Sequence, residues 1–171
     1  MSGEGNAQLV NAMSQVLIQE NAERNLLQAG ADDINIVVTF DSEVLNVYSC
    51  ESTEPEQLSG LYQKICDEPI GGGTDIYTAA KYALGLMEEN YDTSGYTPAV
   101  ILMTDGASKT SARQDFEDFY RESGADIPVF SIMFGSAERE QLDGIAALTN
   151  ARVFDGREGL VGAFRSVKGY N

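Results

Sequence analysis

Hydrophobic and polar positions change period several times along this chain, and each change predicts a new element. From about Asn6 to Gln28 apolar residues recur at helical spacing. Leu9, Met13, Val16 and Leu17 share one face, and Gly30 supplies a left-handed stop. The period then shortens. "INIVVTF" (34–40) is rich in β-branched residues and reads as a strand, "DS" (41–42) as a tight turn, and "EVLNVYS" (43–49) as the returning arm of a hairpin. Thr53 and Glu56 form a T-x-x-E capping box with Pro55 in the first turn, ahead of a helix carrying Leu58, Leu61 and Ile65.

Beyond "GGGTD" (71–75) the helical period returns, with Ile76, Ala80, Ala83, Leu84 and Met87 inward. "AVILM" (99–103) is a continuous apolar run, the mark of a parallel strand buried on both faces. A helix through Phe116, Phe119 and Tyr120 ends at Gly124, and "IPVFSIMFG" (127–135) is the next strand. A helix with Leu142, Ile145 and Leu148, a short strand "ARVF" (151–154) and a helix with Leu160, Phe164 and Val167 complete the order. Strands alternating with helices predict an α/β fold, an open and mostly parallel sheet with an antiparallel hairpin. One element is out of step: the chain opens on a long amphipathic helix, where this architecture normally opens on a strand.

Composition narrows the function classes. A length of 171 residues suits one domain with an ordinary core, and 43% apolar against 22% charged residues describes a folded chain. The net charge of −16 argues against nucleic acid and anionic membrane surfaces, and favours cations and basic partners. The plain reading of this acidity is a solvated surface. The longest apolar run, Ala99–Met103, is too short to span a membrane, and the N-terminal residues lack the features of a signal peptide. There is no histidine, which excludes Ser-His-Asp and Cys-His catalysis together with His-containing zinc motifs. Cys50 and Cys66 are too few for a zinc site and leave a disulfide open.

Two segments carry candidate chemistry. "MTDGAS" (103–108) places Thr104, Asp105 and Gly106 where a buried strand leaves the sheet, and "GGGTD" places Thr74 at a helix start. In open α/β sheets, sites lie beyond the carboxyl ends of the strands. A glycine-rich turn feeding a helix often cradles phosphate, but neither Gly-Lys-Ser/Thr nor G-x-G-x-x-G is present. The Thr74 hydroxyl and the Asp105 carboxylate are instead hard oxygen ligands of the kind magnesium or manganese takes. Taken singly, Asp-Gly after a strand is a turn and Thr before a helix is an N-cap. Asp75 reads either as an acceptor close to such a cation or as an acid complementing the helix dipole. Asp41 and Ser42 read as the hairpin turn, Glu51, Glu54 and Glu56 as a solvated edge, and the tyrosines as scattered and semi-buried.

"INIVVTFDSEV", "GGGTDIYTAAKYAL", "AVILMTDGAS", "IPVFSIMFG" and "FRSVKGYN" fall in one order. In that order the sequence resembles the von Willebrand factor A (vWA) family over nearly its whole length. The resemblance implies a single vWA-like domain over 1–171, Rossmann-like, with helices on both faces of the sheet. It implies a metal-ion-dependent adhesion site at the top of the sheet, which binds proteins and is not enzymatic. The family's metal, usually magnesium, is held by a D-x-S-x-S loop, a threonine matching Thr74 and an aspartate matching Asp105. Gly72, Gly73, Asp75 and Gly106 would frame that site, and an acidic group of a protein partner would complete the metal shell. Family members occur inside bacterial cells and on their surfaces, so no compartment is assigned.

The departure from the family is the first motif. No D-x-S-x-S occurs, and "MSGEGNAQLV" is similar to the stretch that follows it in bacterial members. The expectation is an N-terminally truncated domain without its central first strand, in which magnesium or manganese binds weakly or not at all. Two alternatives stand beside this reading. One is a metal-dependent phosphotransfer enzyme using Asp105 with Lys109 as phosphate partner, although the paired D-x-D of haloacid-dehalogenase-type enzymes is absent. The other is a scaffold without metal.

Overall fold

The computed structural model describes residues 3–168 apart from 52, 70, 92–94, 125 and 157–159. Its elements are α1 (Gly3–Leu17), α2 (Gln19–Arg24), β1 (Asn35–Phe40), β2 (Val44–Cys50), α3 (Pro55–Cys66), α4 (Ile76–Asn90), β3 (Val100–Thr104), α5 (Arg113–Ser123), β4 (Val129–Met133), α6 (Arg139–Leu148), β5 (Val153–Asp155) and α7 (Leu160–Lys168).

The fold is α/β and Rossmann-like, as the alternation of patterns predicts, but its strands form two sheets. β1 and β2 pair as an antiparallel hairpin, with Asn35 opposite Cys50, Phe40 opposite Val44 and a bulge between Thr39 and Phe40. β3, β4 and β5 form a parallel sheet in which Val100 faces Val129 and Ser131 faces Val153. No ladder joins β1 to β3 among the described residues.

Helices cover both faces. Ile76, Tyr77 and Leu84 of α4, Phe116 and Tyr120 of α5 and Leu142 and Ile145 of α6 share one core with Leu102 and Val129. On the other face Ala12 of α1 and Ala163 and Phe164 of α7 pack with Met103, Ile132 and Phe134. Leu102 and Met103 therefore point to opposite faces, as successive strand residues must. α3 turns Leu58, Leu61 and Ile65 onto the hairpin beside Leu17 and Cys50. Cys50 and Cys66 are not joined in a disulfide.

Four local expectations are corrected. The first helix begins at Gly3 and breaks at Ile18, whose backbone is extended (φ −91°, ψ 116°), so one predicted helix is two. Its stop is Leu26 (φ 56°), not Gly30, and the Leu27 N–H reaches back to Ala22 O at 2.8 Å. The strained turn leaves Leu26 74% exposed and seats Leu27 in the core, and that burial offsets the left-handed cost of about 1 kcal/mol. The T-x-x-E box does not form: Pro55 opens α3, and the N-cap is Glu54, without a side-chain cap bond. A proline forces the residue before it into extended backbone, which makes Glu54 rather than Thr53 the boundary. Finally, β3 is not buried throughout, since Ile101 is 37% exposed. The side chains of Leu160 and Val167, and the outer ends of "MSGEGNAQLV" and "FRSVKGYN", lie outside the described residues.

Candidate functional site

Three loops meet beyond the carboxyl end of β3. The first leaves the strand at Thr104, whose hydroxyl donates to Gly106 O at 3.2 Å and accepts from Gly106 N–H at 3.4 Å. This closes a tight turn around Asp105. The Asp105 carbonyl accepts from Ser136 N–H at 2.8 Å and from Ser136 Oγ at 3.1 Å, tying the turn to the loop after β4. Asp105 is buried, and Gly5 of α1 lies so close to its carboxylate that a methyl group there would overlap Oδ2.

The second loop carries Gly71, Gly72, Gly73, Thr74 and Asp75. Thr74 O accepts from Lys109 N–H at 3.0 Å, and a Cβ on Gly106 would stand 3.2 Å from Thr74 Oγ1. The structure thus brings Thr74 beside the Asp105–Gly106 turn. Asp75 caps α4: Oδ1 accepts from Thr78 N–H at 3.0 Å and Oδ2 from the Thr78 hydroxyl at 2.9 Å. Burial pushes the Tyr77 phenol just behind it above its ordinary value, and the charge of Asp75 adds to the shift.

The third loop is the hairpin turn. Glu43 N–H donates to Asp41 Oδ1 at 3.2 Å, which makes Asp41 the turn former that the sequence predicts. The same turn also binds the glycine loop, because Asp41 O accepts from Asp75 N–H at 2.7 Å and Ser42 Oγ donates to Gly72 O at 3.3 Å. Gly73 has φ 110°, and a side chain there would collide with Ser42 Oγ. The glycines therefore let the loop sit tight against the hairpin turn.

Two residues to which the sequence reading gave no role of their own lock the arrangement. Ser108 Oγ accepts from Ile76 N–H at 3.0 Å, satisfying the first orphan donor of α4. Gln141 of α6 grips the Ser108 backbone from both sides, accepting from its N–H at 2.8 Å and donating to its carbonyl at 2.9 Å. With Ile76 N–H given to Ser108 and Thr78 N–H given to Asp75, this helix start has little left to offer a phosphate.

A divalent cation asks more of this geometry than it supplies. Magnesium demands near-octahedral oxygen coordination. Thr74 and Asp105 supply two hard oxygens, while both oxygens of Asp75 are engaged by Thr78. Among the described residues no group of three or more carboxylate or thiolate side chains is placed to hold a metal. The described residues alone do not complete a cation shell.

The comparisons with known proteins agree on the architecture. The family model for the von Willebrand factor type A domain matches residues 2–159. A structure described as von Willebrand factor type A from Catenulispora acidiphila superposes with a TM-score of 0.70 at 12% identity, covering 95% of this chain and 37% of that one. An aerotolerance-related membrane protein from Bacteroides fragilis, carrying multiple mutations to serines, gives 0.64 at 12% identity over 96% of this chain and 86% of that one. Proximal thread matrix protein 1 from the mussel byssus, with a zinc-occupied MIDAS motif, gives 0.61 at 18% identity over 96% and 42%. This chain thus spans well under half of the first and third of these. No curated protein sequence matches it.

Proposed function

The chain belongs to the von Willebrand factor type A family, and on that premise we propose that it is a protein-binding module whose contact face is the three-loop rim beyond β3. Domains of this family commonly serve as protein-interaction modules, often with a divalent cation. The carrying observation is the convergence of sequence-distant loops into one braced surface. Gly72, Gly73, Ala107 and Lys109 are exposed on it, while Asp75, Asp105 and Ser108 are buried beneath. Loops held on a rigid scaffold are where recognition is usually placed.

Thr74 and Asp105 are the cation-facing residues in this reading, and magnesium or manganese binds the chain weakly at best. The enzyme alternative draws on the same buried Asp105 and gains no further support from the geometry.

The test uses surface variants that leave the bracing intact. A Cβ at Gly72 meets open space, so Gly72→Arg combined with Ala107→Arg alters the rim without disturbing packing. Immobilised wild-type chain should retain a protein from cell extract that, once purified, binds directly and is lost by at least about tenfold in the double variant. Equal binding by the variant overturns the rim as contact face. Hydrolysis of an aryl phosphate that depends on Asp105 overturns the binding-module reading itself. Calorimetric titration with magnesium should give a Kd no tighter than about 1 mM.

A further inference from the structure

β2 is the outer strand of the hairpin, and among the described residues its ladder is with β1 alone. Asn46 N–H donates across that ladder to Thr39 Oγ1 at 3.1 Å, so the backbone groups of Asn46 face β1. Alternation then turns the N–H and C=O of Val47 and Ser49 outward, away from β1. A free strand edge is a template for another strand, and proteins usually guard it with charged residues or proline. From Val44 to Cys50, "VLNVYSC", β2 carries neither. Leu45 and Val47 are exposed. The hairpin's bulge lies at its turn end, which leaves the ladder from Asn46 to Cys50 regular.

The two faces beside this edge differ in chemistry. Asn46 and Tyr48 share the face on which Tyr48 packs with α3. There Glu68 Oε1 accepts from the Thr39 hydroxyl at 3.2 Å, from Asn46 Nδ2 at 3.0 Å and from the Tyr48 hydroxyl at 2.6 Å. The carboxylate is thereby fixed next to the strand. Asn46, Tyr48, Lys64, Asp67, Glu68 and Pro69 line a recess of about 300 Å³. It sets two carboxylates against one ammonium, Lys64 Nζ, which stands 5.2 Å from the centre of the Tyr48 ring. On the opposite face Val47 lies across from Val38, and Ser49 across from Ile36.

We propose that the outer edge of β2 takes up an extended segment of another polypeptide in which basic and apolar residues alternate. Such a segment continues the hairpin as a third strand, and its backbone bonds the outward groups of Val47 and Ser49. Its basic side chains lie beside Asn46 and Tyr48 and reach Asp67 and Glu68. Its apolar side chains lie on the other face, beside Val47.

A second copy of this chain fits the same edge badly. Two β2 strands paired antiparallel over their whole length are centred on Val47, which sets Glu43 of each copy opposite Glu51 of the other. Like charges directly opposite destabilise a ladder. Each copy would also bring a net charge of −16. A basic segment turns these charges into attraction. The site is the side of the hairpin, apart from the three-loop rim, and the inference stands without the rim reading.

The test titrates a fluorescent peptide, Val-Arg-Val-Lys-Val-Arg-Val, into the full chain. It should bind saturably. Val-Val-Arg-Arg-Lys-Val-Val has the same composition without the alternation and should bind at least about tenfold more weakly. Two N-methylated forms read the backbone, because only every second N–H of an added strand faces its neighbour. Of the forms methylated at the valines and at the basic residues, one should lose at least about tenfold and the other keep its affinity. Val47→Pro removes an outward N–H without deleting a β1–β2 bond, and should abolish binding. Asp67→Lys reverses a charge of the recess at an exposed position ending α3, where a cation suits the helix dipole and the fold is spared. It should weaken the peptide at least about tenfold, whether or not the proline variant folds. Gly72→Arg with Ala107→Arg should leave binding unchanged. Absence of binding, equal binding of the two sequences, equal effects of the two methylated forms, an unaffected Asp67→Lys variant or loss of binding in the rim variant each overturns the proposal. So does a dimer in sedimentation that Val47→Pro dissociates, since the edge would then belong to a second copy.

Discussion

Under one pair of helical layers the two sheets are held in different ways. β4 has neighbours on both sides, β3 and β5, and all five of its residues are buried. Among the described residues β1 has one neighbour, and all six of its own residues are only half-buried. Both strands are rich in β-branched and aromatic residues, so intrinsic preference does not separate them. What separates them is the second ladder and the close packing it brings. The parallel sheet is the firm region of the molecule and the hairpin region the yielding one, a contrast that bears on function because the hairpin turn braces the glycine loop of the candidate rim.

The largest expected effect puts that contrast to a direct trial. Ile132→Ala, at a fully buried position of β4, should cost about 2–5 kcal/mol in urea denaturation. Val38→Ala in β1 should cost about 1 kcal/mol or less, since a half-buried side chain loses little packing. Equal costs at the two sites would break the comparison. The next effect sharpens it within the firm region. Thr149 is buried, with its hydroxyl accepting from Val129 N–H at 3.1 Å and donating to Ile145 O at 3.0 Å. Thr149→Val keeps the shape and orphans the first N–H of β4, so it should cost about 1–3 kcal/mol by the same measurement. A neutral result would mean that β4 is held by packing alone.

Much of this was legible in the sequence, for reasons that particular residues make clear. Phe116, Phe119, Tyr120 and Gly124 announced α5 and its end, because a wide apolar stripe followed by a left-handed glycine leaves few other solutions. Leu26 was illegible as a helix stop: its strained backbone is tolerated because Leu27 gains burial, and that gain exists only in three dimensions. At the site, Thr74 and Asp105 were readable from their motifs, and the structure sets them in neighbouring loops. The bracing of those loops was not readable. Ser108 and Gln141 are 33 residues apart, and nothing in the sequence joins the end of "MTDGAS" to α6, while Gly5 meets Asp105 only because the first turn of α1 lies against the β3 turn.

The smallest expected effect separates the two regions by pH. On α5, over the firm sheet, hydrogen bonds from Arg113 and then Arg121 hold Glu117 below its ordinary carboxylate value. A lowered pKa contributes stability above the unfolded value of about 4.3, which is lost as pH falls through the folded one. On the hairpin, the Tyr48 hydroxyl donates to Glu68 at 2.6 Å, and that bond raises the phenol. A raised pKa contributes stability below the unfolded value of about 10, which is lost as pH climbs past it. Glu117→Gln should therefore flatten the acid limb of the stability profile, by no more than about 0.5 kcal/mol because its ion pairs face solvent. Tyr48→Phe should flatten the alkaline limb and leave the acid limb unchanged. Hydrogen exchange followed across both limbs locates each loss: in acid it should appear in α5, and in alkali in β1 and β2. If both limbs instead reported the same residues, the two sheets would be unfolding as one unit, and the distinction between a firm and a yielding region would fall.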